Sequence, residues 1–407
     1  MLAVLALTAC GSATPTARQG LSTTPAAIMS PSPYANPLAS PGVGAKPSPF
    51  VSPSAVTPAP TTPKPVVFTC SSTIPIGAQL ALVSLSGSTD VVVRDLTDIS
   101  HPVSRCTFKT CFQYCVSSGP RDIRFVDGSH ISYVTNDGGG GYAIYVADLP
   151  TGKTVLVLSV QDAQGILMAY SWSPDASALV YVLQPPTTGA GMELHRLKAG
   201  HDLVLATMPA IPAVGCEQQC IGEDTWDFSL LFSLDGSNIS LTDSIVKPVF
   251  RIWTADGTQL NKVDSEMRSW SVWSGNGLYY EGAAGVSVWR AGVTTTLLPG
   301  TGWIRPDASP AGGQIAYDSR DSSGWLHVYV VETSTAKIFE LKKARGGPVY
   351  LTARYVWYAG QRACVASDNC VAFPTTSDGR TYVYDLLNST ESVSIITSVS
   401  DTWPHAA

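Results

Sequence analysis

One short pattern recurs along most of the chain: an aromatic or small residue, a tight polar turn and an apolar strand. The clearest copies are WSPDASALVY at 172–181 and FSLDGSNISL at 232–241, and looser copies stand at 125–134, 272–281 and 309–317. Pro fixes φ, and Asp or Gly tolerates the turn geometry, so each copy predicts a β-turn that leads into a strand. Because no apolar period of 3.6 residues is sustained, the pattern argues against a helical repeat.

The spacing of the copies gives the size of the repeat. One apolar residue in each copy serves as a marker, and the intervals between markers are 51, 48, 60, 39, 37 and 40 residues for Leu80, Ile131, Leu179, Ile239, Leu278, Ile315 and Tyr355. The blades of β-propellers run about 40–50 residues. We therefore predict an all-β chain folded as a single β-propeller of seven four-stranded antiparallel blades, within a range of about six to eight. An irregular pair of β-sandwiches is the alternative.

The first and last copies predict how the ring closes. The copy near residues 78–95 lacks a lead-in strand, and the C-terminus supplies Trp403-Pro404 with no strand after it. We expect residues 394–404 to add the missing strand to the first blade. Such pairing would remove the free sheet edges that promote aggregation.

The turn motif W/F-S-P-D-G followed by an apolar strand resembles the TolB-like (PD40/WD40-like) propeller repeat. That repeat is related to the non-catalytic propeller of prolyl oligopeptidase-type enzymes. The resemblance covers residues 77–404 at the level of the motif. It implies four-stranded blades around a central channel.

The N-terminus resembles a bacterial lipoprotein signal peptide over residues 1–9, because LAVLALTA runs into the lipobox-like Leu7-Thr8-Ala9-Cys10. The resemblance implies cleavage before Cys10 and lipidation of its thiol. The basic residues that normally precede such a segment are missing, so we expect the natural start to lie upstream of Met1. A short apolar N-terminus with a chance Cys is the alternative. We expect the protein to be exported and held by lipid on the outer face of the bacterial cytoplasmic membrane.

A tether follows the lipidation site. Residues 11–65 contain 13 of the 29 prolines and 15 Ser or Thr residues, a composition that favours an extended, unfolded chain. The domains predicted are thus a signal at 1–9, a lipidated Cys and tether at 10–65, and the propeller at 66–407. The propeller carries 22 basic and 31 acidic residues, which excludes a nucleic-acid partner. No run of 18 apolar residues occurs, so we expect membrane contact through the lipid alone.

The eight cysteines after Cys10 predict disulfides, because their number is even and the protein is expected to be exported. Cys216 with Cys220 and Cys364 with Cys370 are close enough to close short loops, the first within the 60-residue interval, where we expect a loop insertion. A second group leaves three pairings open: Cys70, Cys106, Cys111 and Cys115. A zinc site is the alternative, but no His stands at ligand spacing from any Cys pair.

Candidate site residues are few. Three Asp residues recur at the same place in the repeat and predict a structural role in the turns: Asp127, Asp175 and Asp235. A ligand or cation loop, with Ca²⁺ as its metal, is a hypothesis for Glu223, Asp224, Trp226 and Asp227, and a solvated loop is the alternative. No G-x-S-x-G, H-E-x-x-H or P-loop motif occurs.

These observations favour a non-catalytic binding or scaffold module. We expect a monomer without cofactor or bound metal, whose partner is a peptide, a glycan or an envelope protein. The alternative is a propeller hydrolase, lactonase-like or glycan-cleaving, with carboxylates at the channel mouth. An accessory role in envelope assembly rests only on analogy with TolB.

Overall fold

A computed structural model describes most of the predicted propeller. It covers residues 65, 68–70, 74–75, 77–85, 90–99, 101–108, 121–136, 141–161, 163–187, 191–209, 228–243, 249–264, 271–275, 277–282, 284–300, 302–365 and 375–403. Within these ranges no helix has the length and apolar character needed to cross a bilayer.

The described residues form 29 β-strands in seven antiparallel sheets that are arranged in a ring. The fold is therefore a seven-bladed β-propeller, which confirms the prediction from the repeat. The first strand of each of blades 2–7 lies innermost, and each inner strand contacts the inner strand of at least one neighbouring blade around the channel.

Blades 2–7 each consist of four consecutive strands, here given from the channel outward: β5 (Arg121–Phe125), β6 (His130–Asn136), β7 (Tyr142–Asp148) and β8 (Thr154–Val160) in blade 2; β9 (Ile166–Trp172), β10 (Ala178–Gln184), β11 (Met192–Lys198) and β12 (His201–Met208) in blade 3; β13 (Phe228–Phe232), β14 (Asn238–Asp243), β15 (Val249–Thr254) and β16 (Gln259–Asp264) in blade 4; β17 (Val272–Ser274), β18 (Gly277–Gly282), β19 (Gly285–Arg290) and β20 (Val293–Pro299) in blade 5; β21 (Trp303–Ala308), β22 (Gln314–Arg320), β23 (Leu326–Glu332) and β24 (Ile338–Lys343) in blade 6; β25 (Arg345–Tyr350), β26 (Tyr355–Ala363), β27 (Thr375–Asp385) and β28 (Thr390–Ser394) in blade 7.

Blade 1 is built from both ends of the propeller. Its order is β29 (Ile396–Trp403), β2 (Leu80–Leu85), β3 (Val91–Asp95), β4 (Val103–Phe108) and β1 (Phe68–Cys70). The C-terminal strand β29 pairs with β2 on the channel side, as the sequence predicted.

Strand β1 makes blade 1 five-stranded, whereas four strands were expected in every blade. It pairs with the outer strand β4, where Phe68 stacks on Phe108 with ring centroids 5.0 Å apart. Next to this stack, a disulfide joins Cys70 to Cys106. These two contacts hold a three-residue strand that has neighbours on one side alone.

The marker residues of the repeat lie in the second strand of each blade. Leu80, Ile131, Leu179, Ile239, Leu278 and Ile315 are each at most 1% exposed and pair with the end of the inner strand. In blade 7 the pairing falls on Val356, one residue after the predicted marker Tyr355. An aromatic residue occupies the paired position of the inner strand in six blades: Trp403, Phe125, Trp172, Phe232, Trp273 and Tyr350.

Hydrogen bonds within the turns explain why the recurring Asp is placed there. The Asp175 carboxylate accepts bonds from the Ser173 hydroxyl at 2.6 Å and from the Ser177 amide at 3.1 Å. The equivalent bonds to Asp235 come from Ser233 and Ser237. In blade 2 the Asp127 carboxylate accepts the amides of Ser129 and His130 at 2.7 and 2.8 Å. Each carboxylate therefore closes the turn between the first and second strands of its blade.

Buried carboxylates also join neighbouring blades. Glu281 of blade 5 accepts the amide of Gly302 at 3.2 Å, and Asp318 of blade 6 accepts the amide of Gly347 at 2.7 Å. Both acids are at most 1% exposed. Because a buried carboxylate without a hydrogen-bond donor is costly, these bonds stabilise the order of the blades in addition to apolar packing.

The structure describes part of the predicted disulfide set. The Cys70–Cys106 bond is one of the pairings that the sequence left open. Cys364 is also disulfide-bonded. Cys111, Cys115, Cys216, Cys220 and Cys370 lie outside the described residues, as do Cys10 and residues 11–64 of the predicted tether.

Candidate functional site

A cavity of about 600 Å³ lies in the central channel. Its walls come from the inner strands of blades 1–6, namely β29, β5, β9, β13, β17 and β21. It includes Ser173, Pro174 and Leu234 from turns that follow inner strands, so the cavity lies towards the end of the channel where these strands turn back. A volume of this size is typical of sites that bind small ligands or short polymer segments.

Aromatic side chains line the cavity because the repeat places one near the end of each inner strand. Trp172, Trp273 and Trp403 contribute to the wall together with Phe125 and Phe232. Trp273 is fixed by a 2.9 Å hydrogen bond from its indole nitrogen to the Ser240 hydroxyl. The repeat in the sequence contains this aromatic residue, but its place in the channel wall was not predicted.

Two carboxylates from different blades reach the cavity wall, and a hydrogen bond from the next blade fixes each of them. Asp401 on β29 accepts the backbone amide of Phe125 at 2.7 Å. Asp307 on β21 accepts the backbone amide of Tyr350 at 2.6 Å. The packing of one blade against the next therefore holds each of these two carboxylates in a fixed position.

A third carboxylate is paired with the basic residue of the wall. The Arg124 Nε donates to Asp122 at 2.7 Å, and the guanidinium lies 5.2 Å from the centre of the Tyr170 ring. The Tyr170 hydroxyl donates in turn to the backbone carbonyl of Asp122 at 2.5 Å. Burial disfavours the charge of Arg124, but the charges of Asp122 and Asp401 outweigh it and raise the pKa of the guanidinium.

Asp307 has the most perturbed carboxyl group of the wall. Burial raises its pKa to about 7, and the charge of Asp401 acts in the same direction. The amides of Tyr350 and Ala308 oppose this shift by bonding to the carboxylate. A carboxyl group that titrates near neutral pH can carry either a proton or a charge under ordinary conditions.

The balance of charge in the wall is negative. Three carboxyl groups line the cavity against one guanidinium, which is bonded to one of them. Such a surface favours a ligand that brings a positive charge. Among the described residues, no group of three or more His, Cys, Asp or Glu side chains is placed to hold a metal ion.

A further cavity of about 470 Å³ lies between blades 1 and 7, at the junction where the ring closes. Its wall includes Asp98, Arg354 and Tyr355. The Arg354 guanidinium is held by two bonds to Asp385, at 2.7 and 2.5 Å, and therefore serves the fold of blade 7. The channel cavity is the stronger candidate because more blades converge on it.

The structure and the sequence analysis point to different site residues. Glu223, Asp224, Trp226 and Asp227, the predicted ligand or cation loop, lie outside the described residues. Sequence reasoning missed Asp122, Arg124, Asp307 and Asp401. The repeat gave no shared signal for the last two, since Asp307 stands one residue and Asp401 two residues before the end of its inner strand.

Comparisons with known proteins support the fold. No protein-family model and no curated protein matches the sequence. A structure from a study of two prolyl endopeptidases aligns over 81% of this chain and 50% of its own length, with a TM-score of 0.52 and 10% identity. TolB from Acinetobacter baumannii aligns over 80% of this chain and 66% of its own, with a TM-score of 0.43 and 16% identity.

A third match is the oligogalacturonate lyase from Vibrio parahaemolyticus, which covers 78% of this chain and 85% of its own, with a TM-score of 0.48 and 11% identity. The chain spans half of the prolyl endopeptidase and less than two thirds of TolB. At these identities the likeness to the prolyl endopeptidase shows a shared β-propeller and carries no statement about activity.

Proposed function

We propose that this protein is a binding module of the bacterial cell envelope, and that its partner enters the channel cavity of the propeller. The observation that carries the proposal is the cavity itself. Six inner strands converge there to form a concave wall of aromatic rings, hydroxyl groups and fixed carboxylates. Concave sites of this composition are the usual binding sites of folded proteins.

The N-terminal region supports placing this module outside the cell. The apolar segment at 1–9, the lipobox-like Cys10 and the Pro-rich residues 11–65 together fit a lipid anchor followed by an extended tether. We propose that this arrangement holds the propeller away from the membrane, where it meets a peptide, a glycan or an envelope protein. Mass spectrometry of the mature protein would test the anchor by its diacylglycerol mass at Cys10.

A cavity-filling substitution tests the binding site. Ser400 is exposed in the cavity wall, whereas Ser398 is exposed on the same strand outside it. Immobilised native protein, Ser400→Trp and the matched control Ser398→Trp would be exposed to purified cell-wall fragments and to solubilised envelope proteins. We expect native protein and the control to retain the same component and Ser400→Trp to lose it. Equal retention by all three proteins, or by none, would contradict the proposal.

A second candidate function is hydrolysis, and the titration of Asp307 favours it. A carboxyl group with a pKa of about 7 is suited to general acid catalysis, and a second carboxylate, Asp401, lines the same cavity. The test is a panel of chromogenic glycosides and lactones. If the protein is such an enzyme, Asp307→Asn should lower kcat/KM by about 10²-fold or more. No turnover of any substrate would contradict this candidate.

A further inference from the structure

We infer that the channel cavity receives a Lys or Arg side chain from an extended peptide segment of the partner. This inference rests on the proposed binding function and specifies the chemistry of the ligand. The feature that carries it is a concave, aromatic-lined cavity whose carboxylates outnumber its basic groups.

The charge of the cavity wall favours a cationic ligand. Asp122, Asp307 and Asp401 line the cavity, and Arg124 is the basic residue in the described wall. Arg124 is bonded to Asp122, so the approach of a second cation meets a net negative surface. A neutral ligand gains hydrogen bonds and apolar contacts here but no charge attraction, and an acidic glycan or an acidic peptide is repelled.

Two of the carboxylates are pre-organised for binding. The amides of Phe125 and Tyr350 hold the carboxylates of Asp401 and Asp307 in place before any ligand arrives. Neither carboxylate must give up side-chain freedom when a cation binds, which lowers the entropic cost of the contact. The two acids come from blades 1 and 6 and act on the same space, since the charge of Asp401 contributes to the raised pKa of Asp307.

Aromatic rings supply a second contact surface in the cavity. Trp172 and Trp403 are partly exposed in the same wall as the carboxylates, whereas Trp273 is buried behind it. Lys and Arg bury an aliphatic stem and present a charged head, and indole rings attract such heads through cation–π contacts. A basic side chain can therefore contact both the carboxylates and the aromatic rings of the wall, whereas a small hydrated metal ion would contact the carboxylates alone.

Binding of a cation should also release a proton. Burial and the charge of Asp401 raise the pKa of Asp307, and the amides of Tyr350 and Ala308 lower it. The Tyr350 phenol lies near enough to feel the charge of Asp307, and Arg124 and Asp122 line the same wall. A bound ammonium or guanidinium favours the ionised form of Asp307. The affinity for a basic peptide should therefore rise between pH 6 and pH 8, and Asp307→Asn should remove this dependence.

The experiment uses the peptides Ac-Gly-Ala-Xaa-Ala-Gly-amide, with Lys, Arg, norleucine or Glu at Xaa, and chitotriose as a glycan probe. Calorimetry on the full protein gives each Kd at pH 6 and pH 8. We expect Lys and Arg peptides to bind at least about tenfold more tightly than the norleucine peptide, and Asp307→Asn or Asp401→Asn to weaken them by about tenfold or more at pH 8.

Asp256→Asn is the matched control, because it removes one carboxylate from an exposed turn of blade 4 outside the cavity. Both cavity variants keep an oxygen that can accept the bond from the next blade, so they should fold. Equal affinity for Lys and norleucine peptides, binding of chitotriose alone, or no binding of any peptide would overturn the inference. The proposed function would still stand if Ser400→Trp abolished retention of an envelope component.

Discussion

The carboxylate of Asp401 accepts a 2.7 Å hydrogen bond from the backbone amide of Phe125, a residue 276 positions earlier in the chain. Asp401 lies on the C-terminal strand of blade 1, and Phe125 ends the inner strand of blade 2. The bond therefore links the C-terminal strand of blade 1 to blade 2. The same carboxylate lines the channel cavity, so one residue takes part both in the contact that follows ring closure and in the candidate site.

We expect Asp401→Ala to lower the free energy of unfolding by about 1–3 kcal/mol, because the amide of the buried Phe125 loses its acceptor. Asp401→Asn keeps an acceptor oxygen and should cost less. Urea denaturation followed by far-UV circular dichroism measures both. An alanine variant as stable as the native protein would show that the bond contributes nothing to closure.

The closing strand can be tested by deletion. Removing residues 396–407 takes away β29 and exposes the inner edge of β2 together with the apolar face around Leu80. We expect the shortened protein to lose its cooperative thermal transition or to aggregate, because a free inner edge is left in the channel. Removing residues 404–407 alone is the control, since β29 remains. A peptide of residues 394–407 added to the shortened protein should restore part of the transition by strand addition.

The disulfide of blade 1 should stabilise the protein. Cys70 and Cys106 are 36 residues apart, and closing a loop of that length restricts the unfolded chain. We expect replacement of both by Ser to lower the free energy of unfolding by about 2–4 kcal/mol. The double variant is preferable to a reducing agent, because Cys364 is also disulfide-bonded and would be reduced as well. A double variant with native stability would show that β1 is not coupled to the fold.

Asp307 should make stability depend on pH in a defined direction. Its pKa is about 7 in the folded protein and near 4 in an unfolded chain, so the folded state holds a proton that the unfolded state has released. The stability that this group contributes is complete below about pH 4 and is lost as the pH rises through 7. The difference in unfolding free energy between native protein and Asp307→Asn should therefore fall from pH 5 to pH 8.

Asp175 provides the control for that measurement. Bonds from Ser173 and Ser177 lower its pKa to about 2, so it is ionised in both folded and unfolded chains above pH 5. The effect of Asp175→Asn on stability should be the same at every pH from 5 to 8. If the two variants showed the same pH profile, the titration assigned to Asp307 would be wrong.

The local features of the fold followed from the sequence because they depend on neighbours in the chain. The turns at Asp127, Asp175 and Asp235 need residues that are two or three positions away, and the apolar markers at Leu80 and Ile131 need a period that is visible in one strand. The spacing of these markers predicted seven blades. Trp403 is an aromatic lead-in residue with no strand after it, and it predicted that the C-terminal strand pairs with blade 1.

The candidate site was decided by the tertiary structure. Asp122, Arg124, Asp307 and Asp401 lie on three strands that are far apart in sequence, and no pattern along the chain relates one to another. They meet because the ring brings the inner strands of different blades to a common channel, and the pKa of Asp307 is raised by burial among those strands and by the charge of Asp401. The sequence by itself thus determined the repeating blade and its closure, since these rest on short-range pairing and burial. The charge and shape of the channel depend on side chains that only the closed ring places together.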